Sequence, residues 1–375
     1  MRIGFCLHSF DRAISGVEYY ALGLLGGLLR ADSGHEYVIY TNQPEMIRPL
    51  VPFAQDRTWI VDTGLRRRVD RIRWEHCQLP TLARRDALAV LHCTSYICPL
   101  RRAFHPYVVT IHDTIALDHP RWCKPSNALY FNLLMAQSAR TAARVIAVSH
   151  QTAADLQRTL GLSAAKVRII HSGVDAIFRT GVDPEACSRI RSRYRLPDRY
   201  VLHVGNIEPK KNTRVLLEVQ TRLRRLGLPH KLVLAGSRTW RARRVLSEIR
   251  QEVALGNVIQ AGYVDRQDLP AVYQMADVFV FPSLYEGFGF PPLEAMACGT
   301  PVVSSHRGAL KEVLGSAAYP VNPEDGGQIT RAVAEMICDR TARQRHIEDG
   351  LKQSARFNWD TAARATLAVY AEVGG

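Results

Sequence analysis

Short runs rich in β-branched and aromatic residues alternate along the chain with longer stretches whose apolar positions recur at helical spacing. In the first half the strand-like runs are RIGFCL (2–7), YVIYT (37–41), ALAVLHC (87–93), YVVTIHD (107–113) and RVIAVS (144–149). The last leads into HQTAADLQRTLG, a helix pattern that Gly161 stops. A second series comprises KVRIIHSG (166–173), YVLHVGN (200–206), KLVLAG (231–236), VIQAGYV (258–264), VFVFPS (278–283) and PVVSS (301–305). This alternation predicts an α/β fold with parallel sheets covered by helices on both faces, each half being its own Rossmann-like unit. The turn-rich HSGVDAIFRTGVDPEA places the boundary between Ser163 and Arg199.

A chain of 375 residues with 47% hydrophobic composition exceeds one ordinary core and suits two domains with a cleft between them. Its eight cysteines include no C-x-x-C pair and sit mostly in apolar runs, which points to a reducing compartment, the cytosol. MRIGFCLHSF runs straight into a strand pattern, so no secretory signal is expected, and YYALGLLGGLL (19–29) is too short to span a bilayer.

The net charge of +14 lies wholly upstream of residue 251. One cluster holds Arg66, Arg67, Arg68, Arg71, Arg73, Arg84 and Arg85; a second, acid-free, runs from Arg222 to Arg244. Two readings fit: a solvated face, or attraction to an anionic partner such as a lipid surface or a polyphosphate substrate. Nucleic acid is not expected, because no recognition motif accompanies the charge. In LRRRVDRIRW (65–74), Leu65, Val69 and Ile72 share one helical face with arginines around them. Such a helix either seeks a membrane interface or packs on the domain core, with its arginines exposed in both cases.

Ligands of open parallel sheets bind beyond the carboxyl ends of the strands, and four loops there carry unusual chemistry. Gly16 precedes a helix, where a backbone amide can approach a phosphate or simply make a turn. His112 and Asp113 end a strand; they fit either a hydroxyl-binding, proton-shuttling imidazole oriented by its neighbour, or a capping Asp beside a buried His. In HVGNIEPKKNTRVLLEV (203–219), Lys210 and Lys211 fall between a strand ending at Gly205 and a helix beginning near Thr213, where a lysine can neutralise a diphosphate.

The fourth loop is FPSLYEGFGFPPLEAMACGTPVVSS (281–305). Pro291 or Pro292 fits the first position of a helix and Gly299 its end, which puts Glu294 in the first turn, favourably placed for the dipole. Glu286, inside the glycine loop, has no such structural role. Two carboxylates flanking an amide-rich loop suit a ligand with hydroxyls at both ends and phosphate in the middle: a nucleotide sugar.

The stretch E-G-F-G-F-P-P-L-E-A-M-A-C-G-T-P-V-V resembles the E-x7-E signature of retaining glycosyltransferases of family 4, which have the GT-B fold. IHDTIALDHP, AVSHQTAADL, IIHSGVD, HVGNIEPKKN, LVLAGSRTW and GYVDRQDLPAVYQMADVFVFPS follow the family's order over almost the whole chain. The resemblance implies two Rossmann-like domains facing each other across a deep cleft: an acceptor-binding domain (1–170), a nucleotide-sugar-binding domain (171–355) and a C-terminal helix (356–375) returning to the first. It implies that Glu294 binds the ribose and that Glu286 binds the donor sugar near its phosphate. Gly16, Gly287, Gly289 and Phe290 would supply backbone contacts to the donor, and Lys211, with Lys210, would meet the diphosphate. His112 would lie near the sugar's hydroxymethyl group, with Glu286, His112 and Lys211 forming the catalytic set and Asp113 positioning it or the acceptor. Many members carry arginine where this chain has Asn206, which shifts diphosphate neutralisation towards Lys211.

Cleavage of the anomeric bond passes through an oxocarbenium-like transition state, so the developing diphosphate charge is what must be stabilised. The sequence has no D-x-D pattern, and neither metal nor cofactor is expected beyond the nucleotide diphosphate sugar as co-substrate. The forms E-P-K-K-N and H-D-x-x-x-x-x-H-P resemble bacterial mannosyl- and rhamnosyltransferases of surface polysaccharide assembly. GDP-mannose is therefore the first expected donor and a lipid-linked or oligosaccharide chain the acceptor, with UDP-glucose or dTDP-rhamnose as other donors and a non-catalytic nucleotide-sugar-binding protein as the rival. The expected location is the inner face of the plasma membrane, on anionic lipid.

Overall fold

Valine, isoleucine, leucine and phenylalanine fill both faces of the central strands, as buried parallel sheets require. The computed structural model describes residues 1–8, 16–31, 34–53, 55–65, 67–100, 106–237 and 243–375, without the side chains at 51–53, 55, 68, 243 and 244. The chain forms two compact units, Met1–Gly173 with Asn358–Gly375, and Val174–Phe357.

The first unit contains β1 (Arg2–Leu7), β2 (Glu36–Thr41), β3 (Thr58–Asp62), β4 (Val90–Cys93), β5 (Tyr107–Ile111), β6 (Arg144–Ala147) and β7 (Val167–Ile169). They form one parallel sheet in the order β3-β2-β1-β4-β5-β6-β7. The helix Gly16–Ala31 packs closely on the helix Trp359–Gly374. A side chain at Gly23 would run into the Trp359 indole, and one at Gly27 would come within 2.5 Å of the Trp359 carbonyl oxygen. The glycines of YYALGLLGGLL thus permit helix contact.

The second unit contains β8 (Tyr200–Val204), β9 (Lys231–Ala235), β10 (Val258–Gly262), β11 (Val278–Phe281), β12 (Val302–Ser305) and β13 (Tyr319–Val321). Its parallel sheet runs β10-β9-β8-β11-β12-β13. The strand order reverses between β8 and β11, so the loops leaving these neighbours meet at the carboxyl edge, where open α/β sheets hold ligands.

Several expectations are corrected. KVRIIHSG does not open the second strand series: β7 pairs with β6 after the helix His150–Leu160 and closes the first sheet. ALAVLHC contributes a strand only from Val90, because Ala87 takes a left-handed turn (φ 50°). The edge strands β3 and β13 were not anticipated; β13 is three residues with a central proline, tolerated at an edge. In LRRRVDRIRW the helix begins at Arg68 and runs on through the π-helical turn Trp74–Gln78 into Leu79–Arg85, with Leu65 and Ile72 packed on the core and Val69 74% exposed. Arg71, expected to be exposed, is largely covered, with its Nε 3.7 Å from Glu75. Arg66, Arg238 and Arg241 lie outside the described residues. Among those described, no helix is long and apolar enough to cross a membrane.

Candidate functional site

β8 ends at Val204, and the chain passes through Gly205 and Asn206 into a single turn, Pro209–Lys211, before the helix Thr213–Arg225. The neighbouring β11 releases Ser283 to Glu286 alongside it. The Leu284 amide donates to the Lys210 carbonyl (2.8 Å), locking the loops together. Lys211 Nζ donates to Glu286 Oε1 at 2.6 Å and lies 4.6 Å from the centre of the Phe281 ring. Lys210 Nζ is 3.6 Å from Glu286 Oε2, and Ser283 Oγ donates to Oε1 at 2.5 Å. Burial pushes the Glu286 pKa up, but Lys210, Lys211 and Ser283 outweigh it and hold the carboxyl down at about 2. A buried carboxylate is therefore kept ionised.

Glu294 lies in a second cluster. The helix is Phe290–Ala297, so Glu294 is its fifth residue, beyond the expected first turn, and the dipole does not account for it. Side chains hold it instead: Tyr273 Oη donates to Oε2 at 2.9 Å, and Arg266 Nη1 lies 3.5 Å from Oε1. Arg266 also donates to Asp175 (3.1 Å) and covers the Phe178 ring. Burial raises the Glu294 pKa, with Arg266 and Tyr273 opposing it.

Between the two glutamates, Gly289 caps the helix with φ 112°, and a Cβ there would come within 2.6 Å of Leu310 Cδ2. Only glycine fits that turn. The helix then opens Phe290-Pro291-Pro292, so among its first three positions only Phe290 carries an N–H. Gly287 belongs to the same loop, next to Glu286.

The second unit thus brings Lys210, Lys211 and Glu286 into direct contact, with Glu294 in the helix that follows. Asn206, also expected to contact the donor, accepts at Oδ1 from the Ser237 amide (3.2 Å). Gly16, His112 and Asp113 lie in the first unit. Gly16 starts the helix whose Tyr20 ring stands edge-on to His112, with centroids 4.7 Å apart. His112 is buried, and its Nε2 donates to the Thr94 carbonyl (2.8 Å). Burial lowers its pKa against the pull of that carbonyl, Asp113 and Glu18, so the ring is neutral and Nδ1 keeps its lone pair. Asp113 accepts from Tyr96 Oη and the Ile115 amide, both at 3.1 Å, and acts on His112 through its charge.

Sequence reasoning missed Arg266, Tyr273, Ser283 and Phe281. Arg266 had a readable signal, since it follows β10 as Lys211 follows β8. It also missed His203, which donates from Nδ1 to the Val280 carbonyl and stacks on Phe281. Burial and Lys211 push its pKa down to about 4.

The opposed responses of the two glutamates give a test. A raised folded pKa means that stability is full below the unfolded pKa and falls as pH rises through the folded one. Ligand-free Glu294→Gln is therefore expected to melt above the parent at pH 8, with the gap closing towards pH 4. A variant that melts below the parent at pH 8 would show that Glu294 is a stabilising ion-pair partner.

Residues 14–177 match the family model for Glycosyltransferase Family 4, and residues 188–353 match that for glycosyl transferases group 1. The chain is 30% identical over 301 residues to the O-antigen chain mannosyltransferase B of Escherichia coli, covering 76% of this chain and 77% of that protein. It is 29% identical to the serotype-specific mannosyltransferase WbdA of E. coli over 74% of this chain, which spans 35% of that longer protein. The crystal structure of Anabaena HepE in complex with UDP-glucose superposes with a TM-score of 0.76 at 18% identity, covering 99% of this chain and all of that one. The chain belongs to the family 4 glycosyltransferases and has the GT-B fold.

Proposed function

We propose that the protein is a retaining, metal-independent hexosyltransferase that moves mannose from GDP-mannose onto a lipid-linked or oligosaccharide acceptor during surface polysaccharide assembly. The observation that carries this reading is the cluster of half-buried Lys210 with buried Lys211 and Glu286 where the loops after β8 and β11 meet. Two ammonium groups there suit a diphosphate leaving group, whose charge grows as the anomeric bond breaks. The ionised Glu286 suits donor-sugar hydroxyls, and Glu294, held by Arg266 and Tyr273, suits the ribose diol. Neutral His112, with its Nδ1 lone pair, suits a sugar hydroxyl. Stabilisation by lysines and amides calls for no divalent ion, and retention follows from attack of the acceptor hydroxyl on the face that the diphosphate leaves. The mannosyltransferases among the relatives support mannose, and the work of such an enzyme would place it on anionic lipid at the inner face of the plasma membrane.

A thermal-shift panel in EDTA tests donor and metal together. GDP-mannose at a hundredfold excess over Kd contributes about 2.7 kcal/mol and raises Tm by several degrees. UDP-glucose and dTDP-rhamnose leave it nearly unchanged, and transfer continues in chelator. A shift with UDP-glucose alone would replace the donor, and activity restored only by a divalent ion would overturn the leaving-group account. Binding without donor hydrolysis or transfer would favour the non-catalytic reading.

A further inference from the structure

We infer that the exposed face of the helix Pro125–Thr141, with the turn Pro120–Trp122 before it, is the surface by which this protein docks on an anionic lipid bilayer. Leu129 and Leu133 are one helical turn apart, 62% and 64% exposed. A pair of large apolar side chains on one helix face is a defined feature, where isolated exposed leucines are not. The flanks are cationic and aromatic. Arg121 and Lys124 stand exposed before the first turn, Arg140 stands exposed in the last, and half-buried Trp122 stacks on His119 at 4.2 Å. Indole rings and basic side chains at the edge of an apolar face are the anchors of helices lying in a headgroup layer.

Charge selects the occupant. Residues 119–154 contain neither aspartate nor glutamate, and the acids that bound this stretch, Asp118 and Asp155, both pair with Arg158. The face therefore repels basic partners and attracts anionic ones, a short-range pull that salt screens. Two leucines offer far less apolar area than the roughly 800 Å² per partner of a stable protein interface, whereas a bilayer takes up single side chains. The segment 65–74 is the poorer candidate, since Arg71, Leu65 and Ile72 face inward. The inference deepens the peripheral-membrane part of the reading above and does not touch the donor cluster, so either can fail alone.

The test is flotation of the whole protein with phosphatidylcholine vesicles, with and without phosphatidylglycerol. Binding is expected only with the anionic lipid, and it weakens as salt rises. Leu129→Ser/Leu133→Ser and Arg121→Ser/Lys124→Ser are each expected to weaken it about tenfold. Both pairs are exposed, so Tm and donor hydrolysis should stay at parental values, while Arg67→Ser/Arg73→Ser has a smaller effect. Equal recovery on neutral and anionic vesicles, or parental binding by the leucine variant, would overturn the proposal. So would a mass by light scattering that falls from dimer to monomer in the leucine variant, which would assign the face to a second copy.

Discussion

Glu286→Gln is expected to lower turnover by about two to three orders of magnitude while changing nucleoside diphosphate affinity by only about threefold. The carboxylate sits between two lysines at 2.6 and 3.6 Å, and its charge fixes where they stand, which in the proposed function is beside the reacting sugar. Glutamine keeps the shape and the hydrogen bond from Ser283 but neither the charge nor the strength of acceptance. Stability gives an independent readout. The folded pKa of about 2 lies below the 4.5 of an unperturbed glutamate, so its contribution is present above pH 4.5 and is lost as pH falls towards 2. The shift corresponds to something on the order of 3 kcal/mol. The parent should therefore lose more stability between pH 5 and pH 2 than Glu286→Gln does. Parallel stability curves for the two proteins would mean that Glu286 is not held ionised by the lysines.

Lys211→Met is expected to cost about a thousandfold in kcat/KM, with about ten- to a hundredfold of it as weakened diphosphate affinity, because a charge-assisted contact is lost and the leaving group is less stabilised. Removing one partner of a buried pair also strands the other, at a cost of about 3 kcal/mol, the lower end of the usual range because Lys210 and Ser283 remain beside Glu286. The double variant Lys211→Met/Glu286→Gln removes both charges. It is expected to regain much of the lost stability and none of the activity, a non-additivity that a double-mutant cycle measures. Additive stability losses would show that the two side chains act independently, contrary to their 2.6 Å contact.

What the sequence revealed and what it concealed follow from the range of each interaction. Strand runs such as VFVFPS and KLVLAG were legible because both faces are buried and the residues are uniformly apolar. The edge strands β3 and β13 lack that uniformity. β7 was misplaced because a three-residue strand carries too little pattern to say which sheet it joins. The glycine-rich loop and Lys210 and Lys211 were legible as local chemistry at strand ends. Their joining to Glu286 was not, since it depends on β8 and β11 becoming neighbours across more than seventy residues. Arg266 and Tyr273 were hidden for the same reason: each meets Glu294 from a different element. Helix phase misled where proline did, because the helix starts at Phe290 and carries Glu294 past the first turn. Periodicity misled again at Leu65, Val69 and Ile72: Leu65 precedes the helix, and Ile72 packs on the core while Val69 faces solvent.

In the proposed function the loops after β8 and β11, with Glu294 beyond them, form the seat of a nucleoside diphosphate. The most direct measurement is calorimetric titration of GDP, in EDTA, into the parent, Lys211→Met, Glu286→Gln and Glu294→Ala. The account predicts binding by the parent, weaker binding by Lys211→Met and Glu294→Ala by about tenfold or more, and near-parental binding by Glu286→Gln. Unchanged affinity in Glu294→Ala together with Lys211→Met would contradict it, because the nucleotide would then be held elsewhere.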